Sequence, residues 1–271
     1  MYNFIKNKVK LIKFSYYKIK YYMNNNPKYI VLGHQKTGTS AIASLLAEKG
    51  GLTKQIDLPG SGDCVKGKIS LNQFIAKHPE YFCKTLIKEP EFTYIYDELV
   101  KHFPEAKFIF VVRHPLDNIR SILDRVNINP SKLPLTLDKI ENLSIHNAWK
   151  QKLLGIAIND NNELNVPKTL SYRWKKAANI YLNNKENFYL IKYENFNSNK
   201  EKNIKILCKK LGIPEKNNIS NKLNIQYQPK GKNRDKSLTT LFSKEIIKDI
   251  EEYCYEEIKK LNYKFYYKNR R

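Results

Sequence analysis

Tyr29-Ile30-Val31-Leu32-Gly33-His34-Gln35-Lys36-Thr37-Gly38-Thr39-Ser40-Ala41 is the stretch that decides how the rest of the chain is read. A short apolar run bends through two glycines and passes into Ala41-Ile42-Ala43-Ser44-Leu45-Leu46, which reads as a helix. Strand, glycine loop and helix start together aim backbone N–H groups and a helix dipole at an anion. Gly33 and Gly38 have the spacing of a G-x-x-x-x-G phosphate loop, whose nucleotide-hydrolysing form continues with Lys and then Ser or Thr. Here Thr39 and Ser40 follow Gly38, and the lysine sits inside the loop as Lys36. The hydrolysing form places its lysine on β/γ-phosphates and its hydroxyl on magnesium. A loop with an internal lysine and a Thr-Ser pair can bind a less charged group without a metal.

Gln35-Lys36-Thr37-Gly38-Thr39-Ser40 resembles the 5′-phosphosulfate loop of sulfotransferases that use 3′-phosphoadenosine-5′-phosphosulfate (PAPS). That family's second signature is an Arg at a strand end and a Ser one helical stretch later. In Phe108-Ile109-Phe110-Val111-Val112-Arg113-His114-Pro115-Leu116-Asp117-Asn118-Ile119-Arg120-Ser121, Arg113 and Ser121 fall at the matching places. The resemblance implies a P-loop-type three-layer α/β fold and transfer of a sulfonate from PAPS to an acceptor hydroxyl, less readily an amine, without a metal. It places His34, Gln35, Lys36, Thr37, Gly38, Thr39 and Ser40 at the 5′ end of the donor, and Arg113 and Ser121 at its 3′-phosphate. Lys36 then opposes the charge that grows on the bridging oxygen as the bond to sulfur breaks. Tyr193-Glu194-Asn195-Phe196 looks like the family's tyrosine-acidic stretch, with Tyr193 approaching the adenine. Pro229-Lys230-Gly231-Lys232-Asn233-Arg234 is similar to the basic glycine loop that closes over the 3′-phosphate side, through Lys230, Gly231 and Lys232. The likeness runs in order over roughly residues 28–261, with the first two motifs the specific ones.

Transfer to an alcohol needs a group that takes the hydroxyl proton. Lys88-Glu89-Pro90-Glu91 resembles the family's lysine-containing strand end, but the family's histidine is not there. Glu89 is one candidate base. Asp57, after the extended piece that follows the first helix of the core, is the other. The choice between them stays open at this level, and Lys88 is expected near the sulfonate or the acceptor oxygen.

Composition bounds the alternatives. At 271 residues with 41% hydrophobic content, the chain has the core of one ordinary α/β domain. The formal charge of +23 suits an anionic partner, yet a chain this rich in Lys, Asn, Ile and Tyr also carries such charge through coding bias. Arginine stands out against that background: of Arg113, Arg120, Arg125, Arg173, Arg234, Arg270 and Arg271, three cluster on one predicted helix and its entry. Cys64, Cys83, Cys208 and Cys254 form no C-x-x-C pair, and the histidines are scattered, so no metal site is expected. No apolar run reaches the roughly 18 residues of a transmembrane helix, and lysines interrupt every candidate signal-peptide core. A cytoplasmic protein is expected, with possible peripheral membrane contact through residues 1–23.

Three units are expected: a basic amphipathic leader helix over 1–26, an α/β domain over 27–271, and a helical acceptor-side insertion within it at 127–185. Strands near Ile30, Lys54–Asp57, Cys83–Lys88, Lys107–Val112 and Asn187–Tyr193 alternate with helices, which implies right-handed crossovers and a mainly parallel sheet. Ser70-Leu71-Asn72-Gln73 reads as a capping box. Helices are expected over Thr93–Phe103, Leu143–Leu154, Leu170–Leu182, Lys200–Leu211 and Lys244–Leu261. His146, Trp149, Trp174 and the loop around Pro130 are candidates to border an acceptor pocket. Carbohydrate is the expected acceptor, because basic charge suits anionic sugars; no specific nucleic acid is expected, and nothing fixes the oligomeric state. Two competing readings are a P-loop kinase or NTPase, and a non-catalytic module that binds polyanions or membranes.

Overall fold

The computed structural model describes residues 2–24, 27–156, 165–229 and 231–267. Five strands form one parallel sheet: β1 (Tyr29–Gly33), β2 (Lys54–Ile56), β3 (Leu86–Lys88), β4 (Lys107–Val112) and β5 (Phe188–Lys192), in the order β2-β3-β1-β4-β5. Alternation along each strand explains why both faces are covered. Ile30, Leu32, Phe108 and Phe110 enter one apolar cluster, and Val31, Ile109 and Val111 enter another on the opposite face. Burying each of these side chains completely contributes on the order of 2 kcal/mol.

The first helix, α1 (Tyr2–Asn24), precedes the sheet, and α2 (Thr39–Gly50) follows β1 directly. Gly51 ends α2 in the left-handed conformation, at φ 60°, with its N–H returned to the last carbonyls. The Ser70–Gln73 capping box is formed in both directions and opens the helix Leu71–Lys77. Pro115 occupies the first turn of the helix Pro115–Arg125, whose apolar side packs with the helix Lys244–Tyr253 in a third cluster. Among the described residues no helix is long and apolar enough to cross a membrane.

Several boundaries differ from the sequence reading. The segment expected as one helix over Thr93–Phe103 is a 3-10 turn, Pro90–Ile95, followed by the helix Tyr96–His102. Glu89 caps that turn by accepting the Glu91 N–H, which sets an earlier start. The final helix expected over Lys244–Leu261 is two, Lys244–Tyr253 and Tyr255–Lys260. Ile246, Ile247 and Ile250 pack into the third cluster, while Cys254, Ile258 and Leu261 pack into the first, so the axis must turn between them.

Candidate active site

Every strand of the sheet delivers a residue from its carboxyl end into one cavity of about 940 Å³. The glycine loop after β1 supplies Gln35, Lys36, Gly38, Thr39 and Ser40, and Asp57 comes after β2. Lys88 closes β3, Arg113 follows β4 and Tyr193 follows β5. This is the crevice outside the carboxyl ends of a parallel sheet, at the point where the strand order switches from one side of β1 (β3, β2) to the other (β4, β5).

The loop itself is held in a shape few residues tolerate. Gly38 has φ 95° and serves as the N-cap of α2 with no side chain capping the helix. The first N–H groups of α2 are therefore left toward the cavity. The Tyr193 ring packs where a β-carbon on Gly38 would stand, so the position needs glycine for space as well as for φ. Lys36 also sits at positive φ, 66°, and its Nζ donates to Gln228 Oε1 at 2.8 Å. Burial, followed by the nearby Arg125 and Arg113 cations, pushes the Lys36 ammonium down to about 8.

On the β4 side, the Arg113 guanidinium lies 4.6 Å from the centre of the Tyr193 ring and 3.8 Å from the Asp117 carboxylate. Its Nη1 donates to the Lys36 carbonyl at 3.5 Å, so the second motif reaches the first directly. Arg120 and Ser121 both border the cavity. Adjacent helical residues do not share a face, but the long Arg120 side chain turns back to Asp117 (2.7 Å) and the Arg234 carbonyl (3.1 Å). Asp124 accepts from the Asn233 side chain at 2.7 Å, and a β-carbon on Gly231 would overlap its carboxylate. Gly231 thus seats the basic loop against the helix. Lys232 is exposed, bonded to Asn127 at 2.8 Å and outside the cavity wall; Lys230 lies outside the described residues.

The two candidate bases have different surroundings. Asp57, at φ 58°, has a side chain 59% exposed, and one carboxylate oxygen is ion-paired with the almost fully buried Lys88 ammonium. Glu89 is buried, and both its oxygens accept backbone N–H groups, from Leu58 at 2.7 Å and Glu91 at 3.1 Å. Burial pushes the Glu89 carboxyl up to about 7, against the opposing pull of Lys88 and those amides. Through Leu58, Glu89 fixes the backbone beside Asp57.

Across the cavity stand Lys66, Trp149, Gln151, Lys152 and Arg173. The buried Glu91 carboxylate organises this side: Gln35 Nε2 donates to it at 2.6 Å, Lys152 Nζ lies at 2.7 Å and Arg173 Nη2 at 3.4 Å. Burial alone would raise the Glu91 carboxyl, but Arg173 and Lys152 outweigh it and hold it below the usual range.

His34 and Thr37 do not face the cavity, contrary to their reading as donor contacts. His34 is buried with Nδ1 2.6 Å from Asn118 Oδ1, and Asn118 Nδ2 donates to the Gln35 carbonyl at 2.7 Å. That second bond orients the amide, so Nδ1 of His34 carries the proton. Burial and then Arg173 push the imidazole down to about 3, so it stays neutral. Thr37 donates to the His34 carbonyl at 2.8 Å and braces the loop from within. His146, Trp174 and Pro130 are likewise absent from the cavity wall: Trp174 is core and bonds the Arg113 carbonyl at 2.9 Å, and His146 caps a helix. Gln228, Asp124 and the Glu91–Arg173 pair were not found from the sequence, because their partners are far along the chain and no spacing marks them.

A family model described as "Sulfotransferase family" matches residues 65–217, more than half of the chain. The matched segment begins after the glycine loop and contains Lys88, Glu89, Arg113, Ser121 and Tyr193. No protein of curated function matches the sequence. Among solved structures, a sulfotransferase from Alicyclobacillus acidocaldarius is 13% identical, with a TM-score of 0.49 over 88% of this chain and 94% of that one. The sulfotransferase domain from the curacin biosynthetic pathway is 14% identical, with a TM-score of 0.47 over 89% of this chain and 99% of that one. The sulfotransferase domain of the Synechococcus PCC 7002 olefin synthase is also 14% identical, with a TM-score of 0.46 over 88% and 95%.

Proposed function

The chain belongs to the sulfotransferase family, and we propose that it transfers the sulfonate of PAPS to a hydroxyl of a carbohydrate acceptor, in line and without a metal. One observation carries the reading: the uncapped start of α2 behind Gly38 and the Arg113 guanidinium open into the same cavity, with Arg113 and Lys36 in direct contact. Two anionic ends of one nucleotide can be held there together. The loop amides, Lys36, Thr39 and Ser40 hold the 5′ end; Arg113, Arg120 and Ser121 hold the 3′-phosphate, with Gly231 and Arg234 closing over it. Tyr193, stacked on Arg113 and lining the same cavity, would approach the base. When bound, PAPS supplies an activated sulfonate. Lys36 stabilises the charge that develops on the leaving phosphate oxygen.

For the proton, Asp57 is the better placed carboxylate. One of its oxygens is held by Lys88, and the side chain is open enough for an acceptor hydroxyl to reach the other. Glu89 has both oxygens committed to backbone amides and acts as a positioning residue for the Asp57 turn. Lys88 stands between the base and the loop, where it can meet a sulfonate oxygen. The wall of Trp149, Gln151, Lys66 and Lys152 offers a flat ring, an amide and two cations, one of them ion-paired with Glu91, which suits a sugar with anionic substituents. The test is product formation from PAPS with a panel of sulfated, carboxylated and neutral sugars, phenols and lipid alcohols, with and without a chelator. Turnover confined to phenols would overturn the acceptor assignment, and a strict metal requirement would overturn the metal-free chemistry.

A further inference from the structure

We infer that α1 is a docking element for an anionic lipid surface. Between Tyr2 and Asn24 the sequence has six lysines and no Asp or Glu. The helix touches the body along a narrow strip: Tyr17, Lys20 and Tyr21 are partly buried, the Tyr21 hydroxyl is 2.8 Å from His102 Nε2, and its ring meets Phe82 edge-on. On another side, Val9, Ile12, Tyr16, Ile19 and Met23 are 45, 69, 56, 58 and 78% exposed. At 3.6 residues per turn these five lie within an arc of roughly 80°. They form a continuous apolar stripe that nothing else in the described chain covers. Lys6, Lys13 and Lys20, one heptad apart, run along its edge.

The charge decides what covers the stripe. Spacings of three and four residues would also suit a helix from a second copy, with the stripe as the a/d seam. The flanking positions would then set lysine against lysine in either orientation, with no acidic residue in the segment to relieve it. A bilayer with anionic headgroups accepts both features at once: the stripe enters the acyl boundary and each flanking lysine is drawn to the negative surface. A nucleic acid would answer the lysines and leave the stripe in water. His102 and Phe82 lie just before β4 and β3, so α1 sits toward the amino ends of the strands, and docking leaves the cavity at their carboxyl ends open.

The test is co-sedimentation of the full chain with vesicles of phosphatidylcholine alone or with about 30% phosphatidylglycerol, alongside light scattering for its mass in solution. Wild type is expected to partition at least about tenfold more strongly onto the anionic vesicles, less so as salt rises. Ile12→Glu combined with Ile19→Glu, both at exposed positions, is expected to abolish binding with the melting temperature unchanged. Lys6→Gln combined with Lys13→Gln is expected to weaken it while keeping the stripe. Wild type remaining in the supernatant, undiminished binding by the double-Glu variant, or a dimer that this variant dissociates would each overturn the inference.

Discussion

The Tyr193 ring lies against the α-carbon of Gly38, filling the space a side chain there would require. The contact joins the end of β5 to the loop after β1 and sets the floor of the cavity. Gly38→Ala must therefore displace the ring and also adopt φ 95° with a β-carbon, a strain of about 1–2 kcal/mol before any clash. The expected result is a modest fall in melting temperature and a loss of nucleotide binding out of proportion to it, read by calorimetry. Tyr193→Ala combined with Gly38→Ala should restore part of the stability.

Lys36 is charged below about pH 8 and neutral above it, because burial and neighbouring arginines lower its pKa. A role that needs the cation fades as pH rises through that value, so kcat/KM should show a descending limb near pH 8. Lys36→Ala should cut turnover by roughly two to three orders of magnitude. Lys36→Arg should keep part of the activity and move the limb beyond the measurable range; an unmoved limb would assign it to another group.

Asp57→Asn and Glu89→Gln separate the proposed base from its proposed support. Asp57→Asn should lower kcat by about 10²–10⁴-fold with nucleotide affinity intact. Glu89→Gln keeps an acceptor oxygen for the Leu58 N–H and should lower kcat far less. Glu89 has its own stability signature: the folded carboxyl holds its proton up to about pH 7, the unfolded one only to about 4.5. Its contribution is fully present below the lower value and is lost as pH rises through the upper. Wild type should lose stability relative to Glu89→Gln between those limits, as thermal melts across pH would show.

How far the sequence could be read depends on the range of the forces at each place. The unbroken apolar run Phe108–Val112 and the Gly33/Gly38 spacing declare β1, the loop and β4 locally, since a strand buried on both faces and a left-handed turn each limit which residues fit. The break at Cys254 is invisible to periodicity, because the amphipathic pattern continues through it while the two halves pack into different clusters. His34 read as a ligand contact because it sits in the loop, but its ring is drawn inward by Asn118, 84 residues away in sequence. Gln228 meets Lys36 across 192 residues for the same reason: the partner is chosen by the fold.

In the proposed function the Gly38 loop and Arg113 grip opposite ends of one doubly phosphorylated adenosine. Calorimetric titration with 3′-phosphoadenosine-5′-phosphate, 5′-AMP and ATP, with and without magnesium, tests it most directly. The expected result is metal-indifferent binding that is strongest for the 3′-phosphorylated nucleotide by about 10–100-fold over 5′-AMP, an advantage that Arg113→Ala removes. Equal affinity for 3′-phosphorylated and plain nucleotides, or tight binding only of ATP with magnesium, would contradict it.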